Sequence, residues 1–245
     1  MIVATKKTRS ANHPYPLMER PAMALALATI SGAMNAWTLG NAGSFATVQS
    51  GNIVSAGFYG AQGDWGRVIP VLSSVLAFGV GAALSAIFIT VVLRRDQMYS
   101  GWVLGFEAVV LAGCVALVST EVVPAMPIAL TVSFIAGLQG NAFHRDSGML
   151  YGNTAVTFVV QMTFSLVGRA VVSRGVSDVN GNLRSAGIYG SVLLAFALGA
   201  AAGFGLDKLW AAGSLAAVSL TLAALAIVAV LERGMVDPQQ NTPAP

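Results

Sequence analysis

Charge is what this chain has least of. Only 9% of its 245 residues are Asp, Glu, Lys or Arg, where a water-soluble domain carries about a quarter. Such a chain cannot cover a surface that faces water. A mean hydropathy of +0.73 and 56% hydrophobic residues point instead to lipid as its solvent. Cysteine is nearly absent too. The lone Cys114 lies inside an apolar run, which excludes an internal disulfide, and the two histidines, His13 and His144, lie in polar stretches. No cluster has metal-ligand spacing, no glycine loop fits a phosphate, and no nucleophile–base set can be drawn. An enzyme, a bound metal and an organic cofactor therefore have no footing here. The net charge of +3 comes from Lys and Arg scattered between apolar runs, a membrane-topology signal rather than a nucleic-acid surface.

What the chain has is long apolar runs. They continue for about twenty residues, the length a helix needs to cross the hydrocarbon, and none alternates at period two as a barrel strand would. Eight segments can be drawn, at about 21–40, 45–61, 68–93, 101–120, 124–142, 154–172, 187–206 and 212–231. The basic stretch before Pro21 resembles a signal peptide, but no small-residue cleavage site follows, so the first segment reads as a retained span. Segments two and six differ from the rest. The second carries Thr47, Gln49, Ser50, Asn52 and Ser55, and the sixth carries Thr154, Thr157, Gln161, Ser165 and Arg169. If all eight cross with the N-terminus inside, Arg94, Arg95, Arg145 and Lys208 fall outside; if the two polar segments dip in and return, only Arg67 and Lys208 do. The positive-inside rule favours the second arrangement. The expectation is an all-α polytopic membrane protein with six long helices and two short polar ones, eight full spans being the alternative. Residues 1–20 and 233–245 read as polar, poorly ordered tails on the cytoplasmic side of the membrane domain, 21–232.

An internal repeat is visible. Leu76–Ala83 reads LAFGVGAA and Leu194–Ala201 reads LAFALGAA, so that Ala77, Gly81 and Ser85 correspond to Ala195, Gly199 and Gly203. Each trio recurs at every fourth residue and puts a small face on its helix, the pattern that lets membrane helices approach closely. Ile30-Ser31-Gly32 matches Ile135-Ala136-Gly137, and Ser50 can be set opposite Thr157. The halves would run from about 21–120 and 124–232. Three crossings per half make them inverted and four make them parallel, and both arrangements occur in transporters whose sites lie between the repeats.

The polar residues of segment six fall within a sector of roughly 120° at 100° per residue. Such a stripe suits either a solute pathway or hydrogen bonding between helices. Asn35 in the first segment, Ser50, Gly51 and Asn52 in the second, and Gln139 and Asn141 in the fifth could join Thr154, Thr157 and Gln161 along that pathway. Glu107 and Arg169 are charges inside apolar segments, where ionisable groups are costly and mark coupling sites or ion pairs.

Gly32-Ala33-Met34-Asn35, Ser50-Gly51-Asn52, Gly137-Leu138-Gln139-Gly140-Asn141 and Thr154-Ala155-Val156-Thr157-Phe158 together resemble the motifs of the YoaK family of bacterial membrane proteins, a UPF-type family. The resemblance covers roughly residues 22–232 and implies a protein of the bacterial inner membrane. Asn35 stands where that family usually has Asp, Ser50 where it has Thr, Gly140 where it has Asn, and Phe158 where it has Gly. If the family's Asp binds a proton or cation, Asn35 cannot titrate in its place. Two functions fit the sequence: a permease for a small solute with a polar site between the repeats, or a non-transporting membrane protein that binds a partner or lipid. Beyond the bilayer and that solute, the residues name no partner or oligomeric state.

Overall fold

The computed structural model describes residues 15–146, 149–150, 156–172 and 179–238. The chain is an all-α polytopic membrane protein. Its helices are α1 (Pro21–Ala42), α2 (Gln49–Ala61), α3 (Trp65–Leu93), α4 (Ser100–Thr120), α5 (Ala125–Ala142), α6 (Val156–Val172), α7 (Val179–Leu209) and α8 (Gly213–Leu231). A two-residue hairpin, β1 (Arg145–Asp146) with β2 (Met149–Leu150), is the described extended structure. Six helices are long and apolar enough to cross a membrane; α2 and α6 are not among them.

α1 and α5 form the centre. In their most apolar stretches 61% and 56% of residues are buried, against 22–33% in the other four long helices, which turn apolar side chains to lipid. α1 packs along α7, α5 along α3, and α4 along α8, while α2 leans on α3 and α6 on α7. Two of these crossings are backbone to backbone. A Cβ built on Gly32 would fall on the carbonyl oxygen of Phe196, and one on Gly199 would fall on that of Thr29. Gly81 and Gly137 stand in the same reciprocal relation to Phe134 and Phe78. Only glycine lets the axes come this near, and dispersion at such contact replaces the hydrophobic drive that lipid removes.

Segment two begins later than its apolar composition suggests. α1 ends at Gly43, in the left-handed region at φ 63°, with its N–H on the Leu39 carbonyl. The chain then turns back alongside α1. Thr38 Oγ1 accepts Ala46 N–H at 3.1 Å, Asn35 Oδ1 accepts Thr47 N–H at 3.0 Å, and Asn52 Oδ1 accepts Phe45 N–H at 2.9 Å. These side chains take donors that a helix would otherwise use, so residues 43–48 stay irregular and α2 starts at Gln49. Asn52 also reaches Ser74, about 14 Å inside α3 at 1.5 Å per residue. α2 therefore starts at mid-depth and climbs back to the end it came from, where Gln62-Gly63-Asp64 turns the chain and Asp64 caps α3 through Arg67 N–H.

The ends of the bundle sort cleanly. At one end, Leu17 and Met18 donate their N–H groups to the Met235 and Val236 carbonyls, at 2.8 and 3.0 Å. The Asp237 carboxylate there accepts Tyr99 N–H and Ser100 N–H, both at 2.9 Å, and so caps α4. At the other end, Trp37 Nε1 donates to the Ala211 carbonyl at 2.9 Å. The two tails are thus not loose where they meet the bundle: residues 15–20 and 232–238 pack on each other, because both carry apolar side chains (Leu17, Met18, Val236) that bury there. Residues 1–14 and 239–245 lie outside the described set.

Candidate functional site

The short helices meet by their first turns. A depression of about 380 Å³ is lined by Thr47, Gln49 and Ser50 at the start of α2, Val156 and Thr157 at the start of α6, and Phe78 near the middle of α3. Phe78 fixes the depth, since it stands halfway along a 29-residue span. Two short helices thus open toward one another at mid-depth, with hydroxyl and amide side chains between them. Gly51 belongs to this construction. A Cβ there would lie 3.0 Å from ring carbons of Phe45, whose side chain folds over the start of α2. α6 is held from behind by α7, with Phe158 edge-on to Tyr189 at 6.4 Å between ring centroids.

Ser50 and Thr157, from the two halves of the chain, are therefore neighbours of one depression, and Gln161 and Ser165 continue from it along α6. Their stripe does not turn into the bundle. Val159, Leu166 and Ala170 are the buried face of α6, whereas Thr157, Gln161 and Arg169 are exposed and Ser165 is half-buried. The reason is the packing partner: α7 offers small and apolar residues, so the apolar side of α6 goes against it. Thr154 lies outside the described residues.

The remaining candidates serve other contacts. Asn35 grips Thr47, its amide nitrogen donating to Thr47 Oγ1 and its oxygen accepting Thr47 N–H. Asn52 donates to the Phe45 carbonyl at 2.7 Å and to Gln49 Oε1 at 2.8 Å. Both hold the bend that sets the site rather than lining it. Asn141 donates to Ser85 Oγ at 3.1 Å, tying α5 to α3, and Ser74 and Ser133 share a hydrogen bond of 2.8 Å across the same pair. Gly81, Ser85, Gly199 and Gly203 are buried in the two tight crossings, and Ala77 and Ala195 are half-buried beside them.

Gln139 and Glu107 make a separate buried string. Ser31 Oγ donates to Gln139 Oε1, and Gln139 Nε2 donates to Glu107 Oε2, each at 3.3 Å. Glu107 is wholly buried, and its Oε1 has no hydrogen-bond partner among the described residues. Arg169 sits far from it near the end of α6. Among the described residues no group of His, Cys, Asp and Glu is arranged to hold a metal ion.

Thr47 and Gln49 were visible as polar residues of segment two, but nothing in their spacing told them apart from Ser55. What selects them is the bend at 43–48, and its signal was Gly43-Ser44 ahead of an Asn that recurs at position 52. No curated protein and no solved structure matches the chain. A family model does match over residues 23–229, from the first turn of α1 to the last turn of α8, so the chain belongs to the DUF1275 family, a protein family of unknown function.

Proposed function

We propose that the protein carries a small polar solute across the membrane, along a pathway that passes the depression where α2 and α6 begin. The observation that carries this reading is the meeting of the two short helices, of 13 and 17 residues, by their first turns at mid-depth. Irregular backbone at that depth persists only where protein or water surrounds it, and broken helices around a mid-depth site are a recurrent transporter device.

A duplication supports it. The pair α1–α7 answers α5–α3, α2–α3 answers α6–α7, and the glycine contacts Gly32/Gly199 and Gly137/Gly81 answer each other. With three spans in each half, the halves are inverted repeats. The end holding Arg20, Arg94, Arg95, Arg145, Arg184 and Arg233 is then cytoplasmic, with both termini, and the end holding Arg67 and Lys208 faces out. Within DUF1275, the resemblance of the four motifs supports a protein of the YoaK type in a bacterial inner membrane. Glu107, buried without a cation beside it among the described residues, is the candidate coupling group.

A second reading has one observation in its favour. An apolar groove of about 320 Å³ between α3, α4 and α5, lined by Leu84, Phe88, Trp102, Phe106, Phe134 and Leu138, fits an acyl chain, as a lipid-binding protein would require.

Thiol access separates the two. In a Cys114→Ala background, Ser50→Cys and Thr157→Cys react with a small water-soluble thiol reagent if the depression is wet. Protection of both positions excludes the pathway and leaves the lipid reading.

A further inference from the structure

Among the described residues, the hydroxyls and amide of the outward polar edge of α6 find no hydrogen-bond partner. Thr157, Gln161 and Ser165 recur at every fourth residue and run from the depression toward the end of the helix, away from the face that α7 covers. Gln161 is five residues, about 8 Å at 1.5 Å per residue, beyond the mid-depth start of α6, still inside a hydrocarbon core of ~30 Å. Acyl chains offer it no donor or acceptor, lipid headgroups do not reach that depth, and an unpaired amide in an apolar medium costs ~2–7 kcal/mol.

We infer that this edge is an interface between two copies of the chain, packed α6 against α6 about a twofold axis along the membrane normal, so that the second copy closes the open side of the depression. The inference rests on reading the α2–α6 depression as the functional site. Three features choose a second copy over another occupant. The row consists of groups that are both donor and acceptor, so an identical row across a twofold axis satisfies it, Gln161 against Gln161, as isologous interfaces require. The row contains one charge, Arg169, and that charge lies at the helix end, where two copies bring their like charges into water and not into lipid. Thr157 belongs both to the row and to the wall of the depression, so one contact satisfies the amides and completes the site.

The test uses the full-length protein with Cys114→Ala, in membranes. Oxidation with copper phenanthroline converts Gln161→Cys into a covalent dimer of the chain, while Val109→Cys, on α4 and 72% exposed to lipid on another side, stays monomeric. Gln161→Leu, reconstituted in liposomes, raises the dimer dissociation constant about tenfold, the scale of one interhelical hydrogen bond in a membrane. Subunit counting by single-molecule photobleaching at high lipid dilution reads that constant without cysteines. Single-step bleaching of the unsubstituted chain, cross-linking at Val109 equal to that at Gln161, or a product containing only a different protein each overturns the inference. Failure of the transport reading is distinguishable: protected Ser50→Cys and Thr157→Cys leave a dimer without a wet pathway, and a monomer with both thiols reactive leaves a pathway without the dimer.

Discussion

Glu107 is buried between α4 and α5, with one carboxylate oxygen on the Gln139 amide and the other without a partner among the described residues. A carboxyl half-satisfied in an apolar interior costs more to hold than a neutral amide of the same shape. Glu107→Gln therefore stabilises the protein by about 1 kcal/mol, a rise of ~2–4 °C in Tm for a chain of this size, read by thermal unfolding in detergent. A group that destabilises its fold is retained where function uses it, so the same variant loses transport if Glu107 is the coupling group; a Tm unchanged or lowered shows that Oε1 is satisfied after all. Asn35 is the opposite case. Every polar atom of its side chain is committed to Thr47, so its work is structural and needs no titration. An Asp at this place could do the same, accepting both the Thr47 N–H and the Thr47 hydroxyl proton.

Helices hold together here chiefly where a glycine removes a side chain at a crossing. Gly81 and Gly79 sit two residues apart on α3, yet a Cβ on Gly81 runs into the Phe134 backbone, while one on Gly79 meets open space. Gly81→Ala therefore costs about 1–3 kcal/mol through overpacking against rigid backbone. Gly79→Ala gains ~0.5–1 kcal/mol of helix propensity. Unfolding midpoints of the two variants should move in opposite directions; equal shifts would mean that the α3–α5 crossing is not close. This contrast also marks what sequence reveals about elements. The small faces of Gly81 and Gly199 were legible, because a period of four needs no partner to be seen. That Gly81 meets α5 and Gly199 meets α1 was not, since nothing local in either helix names its neighbour. The start of α2 failed to show for a related reason: Asn35, Thr38 and Asn52 break the helix through side-chain bonds to backbone N–H groups 7 to 12 residues away, which hydropathy does not register. The stripe on α6 can be drawn from its spacing alone, but its direction depends on α7.

At the scale of the whole molecule, the six spans, the two short helices and the clasped tails define one topology, and its parts test one another. The clasp joins Leu17 and Met18 to Met235 and Val236, and Asp237 to the start of α4. The N-terminus, the α3–α4 turn and the C-terminus must therefore share a side of the membrane. α2 returns to the side it left, so the turn at Gly63 must lie on the opposite side from Asp96. Had α2 crossed, Gly63 and the N-terminus would share a side, and the α3–α4 turn would lie across from the clasp. Gly63→Cys and Asp96→Cys, each in Cys114→Ala, read the side of each turn with a membrane-impermeant maleimide on intact cells. The expected result is labelling at Gly63 and protection at Asp96, with Asp96 becoming reactive once the membrane is permeabilised. Asp96 is exposed and in the left-handed region at φ 52°, outside the helices, so a thiol there is reachable whenever its side of the membrane is. Labelling of Asp96→Cys in intact cells, with Gly63→Cys silent, would mean either the six-span bundle inserted the other way round or eight crossings, and in the second case the clasp could not join the α3–α4 turn to the C-terminus on one side.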